Sequence, residues 1–240
     1  MKELVTILIP LSDKDLTPFQ KKNLASCQAH LGDFQITFIK ADCNECVAEV
    51  LEICPKADFF SVDDRYFTAS QGLAKFLLSE ELYDMFSWSR FLLWFDMNSY
   101  VHRNELAYWC RQGYDLIQLY PAFDTNLTQM DQWRRIINPG KSILLEKEIY
   151  RSFQHSAGFS LRRVDVFQKL VRKKKSLIFS FFQEMSGIDS ANDSLFLEYY
   201  LNRWRTDLAI PNQISRNRFV HLDHLLMQEE MPFASISPII

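Results

Sequence analysis

The segment Arg90–Ile117, RFLLWFDMNSYVHRNELAYWCRQGYDLI, decides the fold class of this chain. It opens with the apolar run Phe91–Phe95, which is long enough for a buried strand and too short for a membrane span. Asp96 and Asn98 follow, and in extended backbone residues at this spacing point to the same face. We therefore expect both side chains to reach one ion at the carboxyl end of a strand, where α/β sheets bind their ligands.

Strands and helices alternate through the first half of the chain. Short apolar runs predict buried strands, and apolar residues at helical spacing predict the helices that join them. The predicted elements are Val5–Ile9, Thr17–Leu31, Ile36–Ile39, Cys43–Ile53, Asp58–Val62, two helices within Ala69–Phe86, Phe91–Phe95, Asn104–Gln112 and Leu116–Leu119. We expect Pro10 to end the first strand, because proline has no N–H to donate. The alternation predicts an α/β fold: one Rossmann-like domain with a mainly parallel central sheet flanked by helices.

The second half of the chain has a less regular pattern. Gly158–Leu161 predicts one more strand, and helical spacing predicts helices over Asp165–Lys174, Ser176–Met185 and Asp193–Trp204. The turn-forming residues within Ala122–Lys141 predict a long loop, of the kind that often covers an active site. No repeat or flexible linker interrupts the chain, so we expect one domain over residues 1–240.

Composition narrows the function classes. The chain has 240 residues, of which 48% are hydrophobic and 24% charged, as in ordinary globular proteins. Its net charge of -3 lacks the basic signature of a bulk nucleic-acid binder. No apolar run reaches the roughly 18 residues of a membrane span, and the N-terminal run is too short for a signal peptide. We expect a cytoplasmic protein with no nucleic-acid partner.

The five cysteines are Cys27, Cys43, Cys46, Cys54 and Cys110. An odd number without a secretory signal favours free thiols over disulfides. Cys43 and Cys46 have the spacing of half a zinc site, but a closed site needs four ligands and no second pair supplies them. Buried thiols carried by helices are the ordinary interpretation.

Asp96 and Asn98 admit two interpretations. Mn²⁺ and Mg²⁺ accept one or two protein oxygens and fill their other positions with phosphate and water. In a metal site Asp96 would supply the charge, and Asn98 its amide oxygen, directly or through a water. Alternatively, Asp96 caps a turn and Asn98 occupies it, which is a common role of both residue types.

A basic cluster lies between residues 162 and 175. Its arginines and lysines are interleaved with valine, phenylalanine and leucine, a pattern that fits a basic amphipathic face touching anionic lipid. The alternative is a solvated helix face, and a third interpretation is a nucleic-acid or membrane-surface module. The members of the cluster are Arg162, Arg163, Lys169, Arg172, Lys173, Lys174 and Lys175.

Longer motifs surround the acidic strand end. The helix predicted after it belongs to the sequence ELAYWCRQGYD, Glu105–Asp115. The other motifs are Gly72–Ser79 (GLAKFLLS), Leu82–Phe86 (LYDMF), Ala157–Arg162 (AGFSLR) and Asn192–Phe196 (NDSLF). Across roughly residues 60–200 they resemble a largely bacterial family of GT-A-like glycosyltransferase domains. Members of that family pair an acidic strand end with a helix reading L-x-x-W-C-x-x-G-Y-D.

The resemblance implies transfer of a sugar from a nucleotide-sugar donor to a glycan or lipid-linked glycan acceptor, as in polysaccharide biosynthesis. It also implies a nucleotide-binding half at about residues 1–120 and an acceptor half with a C-terminal tail at about 121–240. Peripheral membrane contact through residues 162–175 would suit a lipid-linked acceptor.

The resemblance also assigns site residues. Asp193, in the segment that matches E-D-x-x-F, is the expected catalytic base, with a helix N-cap as its alternative role. Lys75 would meet a donor phosphate or lie solvated on its helix, and Gly158 would let backbone approach the sugar or simply form a turn. The expected donor-binding residues are Pro10, Lys75, Asp96 and Gly158, and the expected ligands of Mn²⁺ or Mg²⁺ are Asp96 and Asn98.

The chain departs from the family pattern at several polar positions. Ala74 replaces an asparagine, Asn192 replaces a glutamate, and Ser156-Ala157 stands where the family has Asn-Gly. Ile236 stands where the family has a histidine that could complete a metal site. Each departure removes a polar group from the expected cleft. The alternative function is therefore a non-catalytic GT-A-like binding or interaction protein.

Overall fold

The structure is a computed structural model that describes residues 3–12, 15–41, 46–69, 71–118, 159–184, 193, 196–197, 208–223 and 233–236. Its strands are β1 Glu3–Leu11, β2 Gln35–Lys40, β3 Asp58–Ser61, β4 Ser89–Phe95, β5 Ser99–Val101, β6 Leu116–Gln118, β7 Phe159–Arg163, β8 Val220–Asp223 and β9 Phe233–Ile236. Its helices are α1 Pro18–Leu31, α2 Val47–Ile53, α3 Arg65–Thr68, α4 Gly72–Leu77, α5 Glu80–Met85, α6 Leu106–Cys110, α7 Val164–Lys173, α8 Lys175–Glu184 and α9 Gln213–Phe219.

The central sheet has the strand order β3-β2-β1-β4-β7-β6. Strands β1 to β4 are parallel to one another, whereas β7 is antiparallel to both of its neighbours. The prediction of an α/β fold with a mainly parallel central sheet is therefore confirmed. A second sheet, in the order β5-β9-β8, brings the C-terminal strands β8 and β9 beside the strand that follows Asp96.

Helices cover both faces of the central sheet. Along β4, Leu92 and Trp94 pack against the core beneath α3, α4, α5, α7 and α8. Phe91, Leu93 and Phe95 point to the other core, which α1, α2, α6 and α9 cover. Side chains of successive strand residues alternate between faces, so an uninterrupted apolar run is what a strand buried on both sides requires.

Two local predictions about strand ends need correction. Pro10 does not end β1, which continues to Leu11. Pairing of β1 with β4 stops at Leu8, so Pro10 lies where β1 retains β2 as its neighbour in the sheet, and a proline is tolerated there. The backbone also does not stay extended through residues 96–98. Strand β4 ends at Phe95 and a turn follows.

The helix boundaries agree with most of the predictions. Thr17 caps α1, and its side chain and that of Gln20 form a reciprocal capping box. The helix predicted from Asn104 is shorter than expected and begins at Leu106. Within the described part of the chain, no helix has both the length and the apolar character needed to cross a bilayer.

Candidate functional site

The candidate site lies at the edge of the central sheet where the parallel strands β1 to β4 end. Asp96 follows the last residue of β4, and the chain turns before it enters β5 at Ser99. Asp96 Oδ1 accepts hydrogen bonds from the backbone N–H of Asn98 at 3.0 Å and from Ser99 Oγ at 2.8 Å. The Ser99 N–H also donates to the Asp96 carbonyl at 3.0 Å. The structure therefore contains the turn in which Asp96 acts as the cap.

Burial raises the pKa of Asp96 to about 6. The hydrogen bonds from Ser99 and Asn98 act in the opposite direction because they stabilise the charged form, but burial dominates. The carboxylate is therefore mostly ionised near pH 7, although it is costly to keep ionised there. A bound cation would remove that cost, which makes the position suited to one.

The protein atoms that could ligate a cation here suit an ion that binds together with a phosphate better than an ion held by protein groups alone. Among the residues that the structure describes, no three His, Cys, Asp or Glu side chains group as a metal site. Mg²⁺ is commonly bound through one or two carboxylates together with substrate phosphates, and Asp96 can supply one such carboxylate. Its Oδ1 holds the turn by accepting from the Asn98 N–H and from Ser99 Oγ.

The register of the second sheet places residue 236 beside the turn that carries Asp96. Ser99 in β5 is paired with Ser235 in β9, and Ile236 is the next residue of β9. Because the two strands are antiparallel, the position of Ile236 lies beside the turn that carries Asp96 and Asn98. The departure at Ile236 therefore falls next to the candidate metal ligands, where a histidine would add a nitrogen donor.

The other predicted donor-binding residues are not all gathered around Asp96. Pro10 is buried in β1, one residue before the strand ends at the same sheet edge. Lys75 is exposed on α4, and its Nζ lies 5.5 Å from the centre of the Phe182 ring. It lines a groove of about 620 Å³ between α3–α5 and α7–α8, and Asp96 is not among the described residues lining that groove. Gly158 lies outside the described residues.

Asp193 forms a buried ion pair with Arg162, and both side chains are 1% exposed. Arg162 Nη1 donates to the Leu77 carbonyl at 3.0 Å and its Nε donates to Ser160 Oγ at 3.0 Å. Burial lowers the pKa of the Arg162 guanidinium, but Asp193 and Tyr83 outweigh it and the net pKa is raised. The predicted role of Asp193 as a base thus competes with its ion pair to Arg162, which the sequence did not predict.

This ion pair joins two of the motifs that carry the family resemblance. Arg162 ends the segment AGFSLR and Asp193 belongs to the segment NDSLF. A buried arginine usually has a carboxylate partner, but Arg162 lies just beyond the predicted strand Gly158–Leu161, so the sequence did not indicate that it would be buried. The N-cap alternative for Asp193 involves neighbouring residues outside the described part of the chain.

The basic cluster at 162–175 does not form an exposed amphipathic face. Its apolar residues Val164, Phe167, Leu170 and Val171 are buried in the core, so they are not available to a lipid surface. Several of its charges are engaged within the protein. Arg162 pairs with Asp193, Arg163 with Asp115 and Asp165, Arg172 with Glu80 and Asp84, and Lys175 with Glu80.

The cysteines in the described part of the chain behave as core residues. Cys27, Cys46, Cys54 and Cys110 are buried and free, as expected. Burial raises the pKa of Cys54 to about 11 and that of Cys110 to about 12, so neither is a ready nucleophile. Cys43 lies outside the described residues.

Comparison with solved structures gives the same fold at low sequence identity. The chain aligns with the galactosyltransferase LgtC in complex with donor and acceptor sugar analogs at 11% identity and a TM-score of 0.58, covering 97% of this chain and 87% of that one. An active-site mutant of LgtC aligns at 10% identity and a TM-score of 0.55, covering 96% and 86%. These alignments establish a glycosyltransferase-like fold and leave the activity open.

Comparison of the sequence with curated proteins finds no match. A family model does match, over residues 56–235, and its description is "Protein of unknown function (DUF5672)". The matched range contains Asp96, Arg162 and Asp193, together with the motifs quoted above. The chain therefore belongs to the family described as "Protein of unknown function (DUF5672)".

Proposed function

We propose that this protein is a glycosyltransferase that moves a sugar from a nucleotide-sugar donor to a glycan or lipid-linked glycan acceptor. The observation that carries the proposal is the position of Asp96. Its carboxylate lies at the carboxyl edge of the central sheet, held by Asn98 and Ser99, in a fold that aligns with a galactosyltransferase crystallised with sugar analogs. Ligands of open α/β sheets bind at this edge.

Metal assistance forms part of the proposal. Asp96 would hold Mn²⁺ or Mg²⁺ through a carboxylate oxygen, with Asn98 as a second ligand directly or through water. The ion, when bound, would neutralise the charge that develops on the departing phosphate. Asp96 has two functions of its own: its Oδ1 keeps the turn closed, and its negative charge attracts the cation to this edge of the sheet.

The remaining predicted residues have less support. Lys75 and Pro10 stay candidates for the donor site, as does Gly158. Asp193 stays the predicted base, but a general base has to come within hydrogen-bond reach of the acceptor hydroxyl. A carboxylate that is 1% exposed and paired with Arg162 would reach an acceptor only after that ion pair opened.

A non-catalytic binding protein is the second candidate, and two observations favour it. The carboxylate expected to act as the base is engaged in a buried ion pair, and the position of the family histidine next to Asp96 is Ile236. A protein with this site would bind a nucleotide or a glycan without turning it over. The two candidate functions predict the same binding of a nucleotide or glycan, but only the glycosyltransferase predicts turnover.

Calorimetric titration tests the donor part of the proposal. UDP, GDP, CMP and their common sugar conjugates are titrated into the protein with and without Mn²⁺. We expect one nucleotide to bind only with Mn²⁺, and to lose at least tenfold in affinity in Asp96→Asn. Asp33→Asn is the matched control, because Asp33 is exposed in the loop that precedes β2, at the opposite edge of the sheet. Absence of binding by every nucleotide, with and without the metal, would overturn the donor proposal.

A further inference from the structure

Helix α1 makes a hydrogen bond to the turn that carries Asp96. Asn23 is completely buried in that helix, and its Nδ2 donates to the carbonyl of Met97 at 2.8 Å, across 74 residues of sequence. Met97 is the residue between Asp96 and Asn98. The amide of Asn23 therefore fixes the middle of the turn directly, and through it the direction of the Asp96 side chain.

A second residue of α1 holds the far end of the same segment. Ser26 Oγ accepts a hydrogen bond from the N–H of Val101 at 3.1 Å and donates to the carbonyl of Asn23 at 2.7 Å. Residues three apart lie on the same face of a helix, so Asn23 and Ser26 point together toward the turn and β5. The stretch from Met97 to Val101 is thus fastened at both ends by two adjacent polar side chains.

Burial of the Asn23 amide costs free energy of folding, so stability alone does not explain it. None of the described residues donates a hydrogen bond to its Oδ1, although the residue is shielded from solvent. A buried acceptor without a partner loses its hydration and gains nothing in return. Leu24 and Cys27 show that apolar side chains fit beside it in the same core. The amide is therefore better explained by the position of the backbone it holds than by its contribution to stability.

We propose that Asn23 and Ser26 are positioning residues that set the Asp96 turn for a nucleotide-bound divalent cation. The inference rests on the proposed function, because the cation is expected to arrive with the donor. Metal-ligating groups depend on hydrogen bonds from residues behind them, and loss of such a partner commonly weakens metal affinity about 10- to 100-fold. Neither residue needs to touch the cation or the nucleotide to have this effect.

The test compares anchor variants with a matched control. Asn23→Ala and Ser26→Ala each remove one anchor, and Ser26→Thr keeps the hydroxyl. Ser89→Ala is the control: it removes a buried hydrogen bond, to Thr6 at 2.8 Å, from the opposite end of β4. Two quantities are measured on every variant. The first is the affinity for Mn²⁺ with whichever of UDP, GDP and CMP binds the wild type, and the second is hydrogen exchange at the Ser99 amide.

We expect Asn23→Ala to lose about tenfold in Mn²⁺-dependent nucleotide affinity and to exchange the Ser99 amide at least tenfold faster. Ser26→Ala should show the same direction of change, and Ser26→Thr should restore both quantities. Ser89→Ala should change neither, even where it lowers the unfolding temperature as much. Wild-type values in Asn23→Ala and Ser26→Ala, or equal losses in Ser89→Ala, would overturn the inference.

The design separates this inference from the proposed function. A wild-type protein that binds no nucleotide with Mn²⁺ defeats the proposed function and, with it, the assignment of a cation to the turn. The exchange measurement then still decides whether Asn23 and Ser26 hold the turn. If Asn23→Ala does not fold, Ser26→Ala and Ser26→Thr form a complete comparison, because the serine change removes one oxygen only.

Discussion

At the scale of single residues, Asp96 makes folding depend on pH. Its pKa is about 6 in the folded protein, above the ordinary aspartate value of 3.8, because burial disfavours the charged form. The folded state therefore binds the proton more tightly than the unfolded state. Protonation of Asp96 therefore stabilises the folded state. This stabilisation is complete below about pH 4 and is lost as the pH rises through about 6.

Asp96→Asn should remove this pH dependence. Asparagine keeps an oxygen that can accept from the Asn98 N–H and from Ser99, but it has no charge to bury. At pH 8 we expect the variant to be more stable than the wild type by roughly 2 kcal/mol, the value of about two pKa units reduced for partial solvent exposure. At pH 4 the two should be equal. Urea unfolding at both pH values measures the difference, and equal stability at pH 8 would contradict the account.

The Arg162–Asp193 pair supports a second prediction at this scale. Removing one partner of a buried pair leaves the other charge without compensation, which typically costs about 3–5 kcal/mol. We expect Asp193→Ala to lose that much in free energy of unfolding, measured by urea denaturation. Replacement of both partners, Arg162→Met with Asp193→Leu, should cost less than the sum of the two single changes, because no unpaired charge remains.

A single substitution at Asp193 can also distinguish a structural role of this residue from a catalytic one. Asp193→Asn keeps an oxygen near Arg162 but cannot act as a base. If Asp193 acts only through the ion pair with Arg162, the variant should lose stability and keep its turnover per folded molecule. A variant that unfolds like the wild type and has lost turnover would instead support the base that the family resemblance implies.

At the scale of elements, Gly113 has a backbone conformation that favours glycine over other residues. Its φ is +78°, in the left-handed region, where the chain turns from α6 toward β6. A Cβ at this position would meet no atom within 4 Å, so the backbone conformation alone requires glycine. We expect Gly113→Ala to lower the free energy of unfolding by about 1 kcal/mol, measured by thermal denaturation.

Asparagine provides the control for this prediction, because it tolerates the left-handed region better than alanine does. Gly113→Asn should therefore be the more stable of the two variants. Equal losses of stability in both variants would mean that something other than the backbone conformation sets the cost.

Asp115, two residues after Gly113, fixes the start of the following strand. Its N–H donates to the Ala209 carbonyl at 2.7 Å and its Oδ2 accepts from the Ala209 N–H at 2.9 Å.

The elements also show which parts of the fold could be predicted from sequence. Long buried strands and capped helices have clear patterns, so α1 and the end of β4 were predicted nearly at their observed positions. Strand β1 was also predicted, but it extends two residues further at each end than expected. The second sheet was not predicted, because β5 has three residues and β8 and β9 have four each. Strands that short carry no readable alternation. The antiparallel direction of β7 also has no signal in a strand whose first four residues are all buried.

At the scale of the whole molecule, the candidate site is built from parts far apart in sequence. Asp96 could be predicted, because an acidic residue at the end of an apolar run lies where α/β sheets bind ligands. The role of Asn23, which holds the turn at Asp96, could not be predicted, because a polar residue in a helix normally indicates the solvated face. Asp193 was singled out from a motif, but its partner Arg162 is 31 residues away and only folding brings them together.

We propose that this molecule turns over a nucleotide sugar with the help of Asp96. The most direct test follows release of free nucleotide from the nucleotide sugar that binds the wild type, in the presence of Mn²⁺. We expect release by the wild type and by Asp33→Asn. In Asp96→Asn we expect the rate of release to fall about a hundredfold, in the range found when an electrostatic contact to the reacting groups is removed. Tight binding of the nucleotide sugar without any release would contradict the claim and identify a non-catalytic binding protein.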